Sequence, residues 1–129
     1  QVLAESSVRH HDAAPLHLLT TASLRWLQAA LPLSLVDRRR FRPNILLDVP
    51  GSDLVEDGWL GGRFRLGTTE IRILDRSERC VMATNAQDDL PNDPAILRGV
   101  AKLNESCLGV YAAVEKPGRV RVGAPLRPL

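Results

Sequence analysis

Apolar runs in this chain are short, and proline or glycine repeatedly interrupts them. Nine prolines and nine glycines fall within 129 residues. Each marks a place where the backbone must turn or cannot continue a helix, so punctuation this dense favours a β-rich body over a helical bundle. The length suits one domain with a core of its own. Aromatic residues make up only 4% of the chain, so aliphatic side chains must fill that core.

Residues 1–14 are mixed and weakly periodic, and read as a flexible N-terminal segment or the remnant of a longer chain. Residues 15–129 read as the folded domain. Pro15 to Leu24 starts as a strand and passes into a helix that Thr20 or Thr21 can cap, with Leu24, Leu27 and Leu31 on one face and Pro32 as its stop. The clustered hydroxyls of Thr20, Thr21 and Ser23 at a helix start offer a seat for an oxyanion or phosphate, although capping accounts for them equally well. Arg38–Arg40 read as a solvated face. Pro43 is expected to hold Arg42 extended, ahead of a strand over 45–49. Arg63–Leu66 and Thr69–Leu74 form a hairpin around Gly67. Asp93-Pro94 opens a second helix, with an acidic cap followed by proline at the first position, and Ile96, Leu97, Val100 and Leu103 supply its apolar face. Strands are expected over 108–114 and, from the Arg/Val alternation, over 119–122. The sum is six or seven short strands with two peripheral helices. Such an arrangement suggests a mainly β fold, a small closed or partly closed β-barrel.

Several chemistries find no support. A formal charge of +2 with 15 interspersed acidic residues is too small a bias for a nucleic-acid binder. No apolar run approaches the ~20 residues that span a bilayer. Phosphate-binding glycine loops are missing. Two cysteines, Cys80 and Cys107, fit no zinc spacing, and reduced thiols in a cytoplasmic protein suit them better than a bridge. His10, His11 and Asp12 diverge on any regular element and lack a third ligand. Asp48, Asp53, Glu56 and Asp57 lie in loop-like sequence, where solvated acids are expected.

What remains distinctive is Ile71 to Thr84, a strand that ends in Arg79-Cys80. Fixed cations beside a thiol favour its nucleophilic, metal-binding thiolate. A buried structural thiol is the competing reading. A Cys–His pair would need Cys80 beside His17, which spacing leaves open. Arg42 and Asn44, a fork-shaped cation and an amide beside a rigid proline, could grip a phosphate and a heterocycle edge.

Five stretches, in this order, resemble the MOSC domain: residues 15–24 (PLHLLTTASL), 39–45 (RRFRPNI), 56–59 (EDGW) with Leu66-Gly67, 79–84 (RCVMAT) and 117–123 (PGRVRVG). This is the β-barrel module of molybdenum cofactor sulfurases and of relatives that reduce N-hydroxylated compounds. The resemblance implies binding of the molybdenum cofactor, a molybdopterin with a terminal phosphate. Cys80 would ligate molybdenum or carry sulfur as persulfide; Arg79, Arg42 and Asn44 would contact the cofactor. Thr21, Ser23 and Thr84 match positions near it. A cysteine desulfurase or an electron-transfer protein is the implied partner, and a cofactor-free sulfur relay or a non-catalytic structural domain are the alternatives. Ser77 stands where relatives often carry a first cysteine, and Ala83 where a threonine usually precedes Thr84. Cys107 does not match the liganding position.

Overall fold

The computed structural model describes residues 2–5 as backbone, and residues 16–79 and 90–129 in full. The fold is mainly β, a single curled sheet with two helices. Its strands are β1 (Val2–Glu5), β2 (Leu16–Thr20), β3 (Ile45–Leu47), β4 (Arg63–Leu66), β5 (Thr69–Glu78), β6 (Cys107–Lys116) and β7 (Leu126–Pro128). They lie in the order β1-β3-β2-β6-β5-β4-β7. Among the described residues β1 and β7 are the edges, so the sheet curls as a half-barrel without closing.

All neighbours are antiparallel except β2 and β3, where Leu18 lies opposite Ile45 and Thr20 opposite Leu47. Parallel neighbours need a crossover, and helix α1 (Thr21–Ala30) begins it directly after β2. Thr20 caps α1, its hydroxyl accepting from Ser23 N–H at 3.1 Å. The helix ends just ahead of Leu31-Pro32, as expected. Helix α2 (Pro94–Asn104) likewise starts at Asp93, whose carboxylate accepts from Ala95 N–H at 3.1 Å.

The pleat of β5 buries Thr69, Ile71 and Ile73 and exposes Arg72 and Leu74. With Leu16, Leu18, Leu47, Leu66, Val110 and Ala112 these isoleucines form one apolar cluster. A second, built on Leu19, Leu27, Phe41, Leu46, Ile96, Val100 and Leu108, joins the sheet to both helices. Aliphatic residues dominate both clusters, as the scarcity of aromatics requires.

The structure corrects four local expectations. Val2–Glu5 is a strand paired antiparallel with β3, not a loose segment. Residues 119–122 are not a strand, because Thr68 captures the Arg119 main chain through reciprocal bonds. Arg119 N–H donates to the Thr68 hydroxyl at 2.7 Å, and Thr68 N–H to Arg119 O at 3.0 Å. The chain then turns at Arg121–Ala124, and the edge strand is β7. Arg40 is 2% exposed rather than solvated; it donates to the carbonyls of Leu35 and Pro91, both at 2.8 Å. Arg42 is not extended but left-handed, with φ 49°. Its N–H closes a turn onto Arg38 O at 3.2 Å, and Pro43 bars the right-handed alternative.

Candidate functional site

The predicted site residues that the structure describes lie towards opposite ends of the parallel β2–β3 pair. Three to four residues of strand separate the two ends, roughly 10–13 Å at the usual rise per residue.

At the first end the turn Arg38–Arg40 runs through Phe41, Arg42 and Pro43 into Asn44. Asn44 N–H donates to His17 O at 2.9 Å, and its side-chain Oδ1 accepts from His17 N–H at 2.7 Å. The amide thus stands in for one more rung of the parallel ladder. Arg79 arrives from the end of β5, held by its N–H on Ser106 O at 2.7 Å. Its Nη1 donates to Phe41 O at 2.9 Å and lies 3.3 Å from both ring nitrogens of His17. Arg42 is exposed at the same corner. The Asn44 amide and the Arg79 guanidinium thus both lie against His17, and Arg42 stands two residues before Asn44.

His17 is the residue that sequence reasoning undervalued. Its ring is buried between Arg79, Leu108 O at 3.4 Å and Tyr111, whose ring centroid is 5.7 Å away. Burial first, and then the charge of Arg79, lower its pKa from 6.5 to about 4, against the opposing pull of the Leu108, Arg42 and Phe41 carbonyls. At neutral pH the imidazole is uncharged. Gly109 makes room for it. A Cβ at that position would sit 2.5 Å from His17 Nε2, and the backbone there has φ 84°. A polar residue inside the apolar run Leu16-His17-Leu18-Leu19 was the available signal.

The second end carries Thr21 and Ser23, and here the chain supplies its own anion. Glu56, expected to be solvated, is 0% exposed. Its carboxylate accepts from Thr20 N–H and Thr20 Oγ1, both at 2.9 Å, and from Ser23 Oγ. It occupies the seat at the start of α1 where the sequence suggested an external oxyanion. Burial raises the Glu56 pKa above its ordinary value, opposed by the Ser23 and Thr20 hydrogen bonds. Ser23 is itself buried. Thr21 Oγ1 accepts from Val49 N–H at 3.0 Å and faces Val49 O at 3.1 Å and Asp48 Oδ1 at 3.2 Å as acceptors. Both hydroxyls are engaged within the protein, and the carboxylates beside them oppose a phosphate.

Cys80, Thr84, His10, His11 and Asp12 lie outside the described residues. Cys107 is a free thiol. Burial raises its pKa, Arg76 partly offsetting the effect, which disfavours a thiolate. Its carbonyl and the Asp57 carboxylate both accept from Asn104 Nδ2, at 2.8 and 3.1 Å, tying the end of α2 to the Val55–Trp59 turn. Among the described residues no group of three or more His, Cys, Asp and Glu could hold a metal, and no helix is long and apolar enough to cross a membrane.

The MOSC domain family model matches residues 5–127. The chain belongs to the MOSC family. This MOSC domain is 29% identical over 135 residues to mitochondrial amidoxime-reducing component 1 of Mus musculus, with 95% of the chain aligned. It is 32% identical over 138 residues to mitochondrial amidoxime reducing component 2 of Rattus norvegicus, with 96% aligned. It spans only 38% of the mouse protein and 39% of the rat protein. Among solved structures, YiiM from Escherichia coli superposes with a TM-score of 0.67 at 18% identity, over 99% of this chain and 61% of YiiM. A crystal structure described as a hypothetical protein gives 0.68 at 17% identity, over 98% and 59%. At such identities these two likenesses speak for the fold alone.

For the molybdenum cofactor that the family resemblance implies, the two ends of β2 give different answers. Guanidinium forks and an amide edge fit an anionic pterin, and Arg42, Arg79 and Asn44 supply that set at the first end. The second end, filled by Glu56 and bordered by Asp48, does not fit a phosphate at the Thr21 and Ser23 hydroxyls.

Proposed function

We propose that this MOSC domain binds the molybdenum cofactor at the corner formed by Arg42, Asn44 and Arg79, with Cys80 as the thiolate ligand of molybdenum, and serves in the reduction of N-hydroxylated compounds. The observation that carries the reading is the meeting of the Asn44 and Arg79 side chains at His17, with Arg42 two residues before Asn44 and Arg79 immediately preceding Cys80. Similarity to two proteins named as amidoxime-reducing components supports the substrate class.

Thiolate is a soft donor suited to a metal bound through sulfur. The cofactor, when bound, would supply the redox centre for a change in which an N-hydroxylated compound takes up two electrons and two protons and gives the amine-level product and water. The electrons come from an electron-transfer partner. The chain's own part is to bind and orient. Arg42 and Arg79 hold negative charge, and Asn44 fixes a heterocycle edge. Thr84 is a further proposed contact. With the Thr21 and Ser23 hydroxyls engaged internally, the grip on the phosphate falls to the arginines.

The test is to purify the protein from cells that make the cofactor, and to assay bound molybdenum and pterin in wild type and Cys80→Ala. Wild type is expected to retain both, and Cys80→Ala to lose most of the molybdenum. If neither protein retains them, or both retain equal amounts, the liganding role is wrong.

A further inference from the structure

The groups that converge on the corner share one neighbour. His17 binds Asn44 through both main-chain groups, accepting from Asn44 N–H at 2.9 Å and donating to Asn44 Oδ1 at 2.7 Å. The same residue's ring lies 3.3 Å from Arg79 Nη1, while that nitrogen also donates to Phe41 O at 2.9 Å. The imidazole is fixed in turn by Leu108 O, by Tyr111 and by the missing side chain at Gly109. A hydrogen on Nε2, directed at Leu108 O, leaves the Nδ1 lone pair for the guanidinium.

We propose that His17 is the positioning residue of the corner: its ring backs the Arg79 guanidinium while its main chain sets the Asn44 amide, so that both meet an anionic cofactor in fixed register. The proposal rests on the reading of this corner as the cofactor seat. A carboxylate in the same place would cancel the charge of Arg79, and an imidazolium would repel it. A neutral acceptor orients the fork without adding a charge of its own. Arginine loses considerable rotamer freedom on binding, and a fork already held at two points has less left to lose.

The experiment compares wild type, His17→Phe and His17→Gln, each purified from cells that make the cofactor. Molybdenum and pterin per mole of protein are measured alongside the thermal midpoint. His17→Phe keeps a flat ring but has no acceptor for Arg79, and its occupancy is expected to fall about tenfold, the usual scale for residues that orient a metal site's contacts. His17→Gln offers an amide oxygen and is expected to restore most of it. A merely structural role would instead lower the thermal midpoint in both variants and leave occupancy at low temperature unchanged; that result overturns the proposal. Should His17→Phe fail to fold, His17→Asn, too short to reach Arg79, carries the same expectation and the same power to overturn. Empty wild-type protein defeats the cofactor reading itself. Full wild type with equally full variants defeats only the role of His17.

Discussion

Each end of β2 buries an ionisable side chain, His17 or Glu56, and the two are treated in opposite ways. At the Thr20 end a carboxylate sits among three donors at a helix start, so a buried acid is matched inside the protein. At the His17 end an imidazole is packed against a guanidinium and stays neutral. One end has its anion built in and is finished as a piece of structure. The other gathers arginine and amide groups around a ring without charge, and it is the end proposed to take a ligand. The family motif spans both ends; only the physical environment separates a structural corner from a proposed binding one.

The largest expected effect belongs to the finished end. Glu56→Ala would leave Thr20 N–H and two hydroxyls facing a void at full burial. Buried partners left unpaired, with a cavity beside them, cost roughly 3–5 kcal/mol. Glu56→Gln keeps one acceptor, and the rotating hydroxyls can donate or accept, so roughly 1–2 kcal/mol is expected. Urea denaturation measures both. A Glu56→Ala variant as stable as wild type would mean that the second end is not self-sufficient, and the contrast would fail.

Acid should pull the two ends in opposite directions. Between about 4 and 6.5 the unfolded chain protonates His17 and the folded one does not. The stability this gives is complete above 6.5 and is lost as pH falls towards 4; the gap amounts to about 3 kcal/mol. Glu56 has its folded pKa raised above 4.5, so there the folded state binds the extra proton. Its contribution weakens as pH rises through that higher value and recovers as pH falls. Denaturation midpoints at pH 7 and pH 4.5 are expected to show a flatter acid loss in His17→Gln and a steeper one in Glu56→Gln. Parallel slopes in all three proteins would remove the electrostatic side of the comparison.

Much of the fold was legible because the deciding interactions are local. Asp93-Pro94 starts α2, Gly67 turns β4 into β5, and Thr20 caps α1, each through groups no more than a few residues apart. Apart from the Arg42 turn, which closes locally onto Arg38, the errors have distant partners. Glu56 is buried by Thr20, 36 positions away, and Arg40 by Pro91, 51 positions away. Charged residues are almost never fully buried unless such partners exist. The Arg/Val alternation over 119–122 has the right period for a strand, but Thr68 had already claimed the Arg119 main chain. At the proposed site, Arg42, Asn44 and Arg79 stand out in the sequence as a motif. His17 was not, since its importance lies in touching Asn44, Arg79 and Leu108 at once, on three separate stretches of chain.

The smallest effect gives the most local test. Asn44→Ala removes the acceptor for His17 N–H, a part-buried bond for which about 1 kcal/mol is expected. The global loss would be hard to tell from that of many substitutions, but its location would not. Amide hydrogen exchange of His17 should quicken, because the N–H loses the partner that extends the ladder. The Thr20 amide, held by Glu56 at the other end of the same strand, should stay as slow as in wild type. If both amides quicken together, β2 opens as one unit. Its two ends would then share one fate, and Asn44 could not be said to hold the His17 corner by itself.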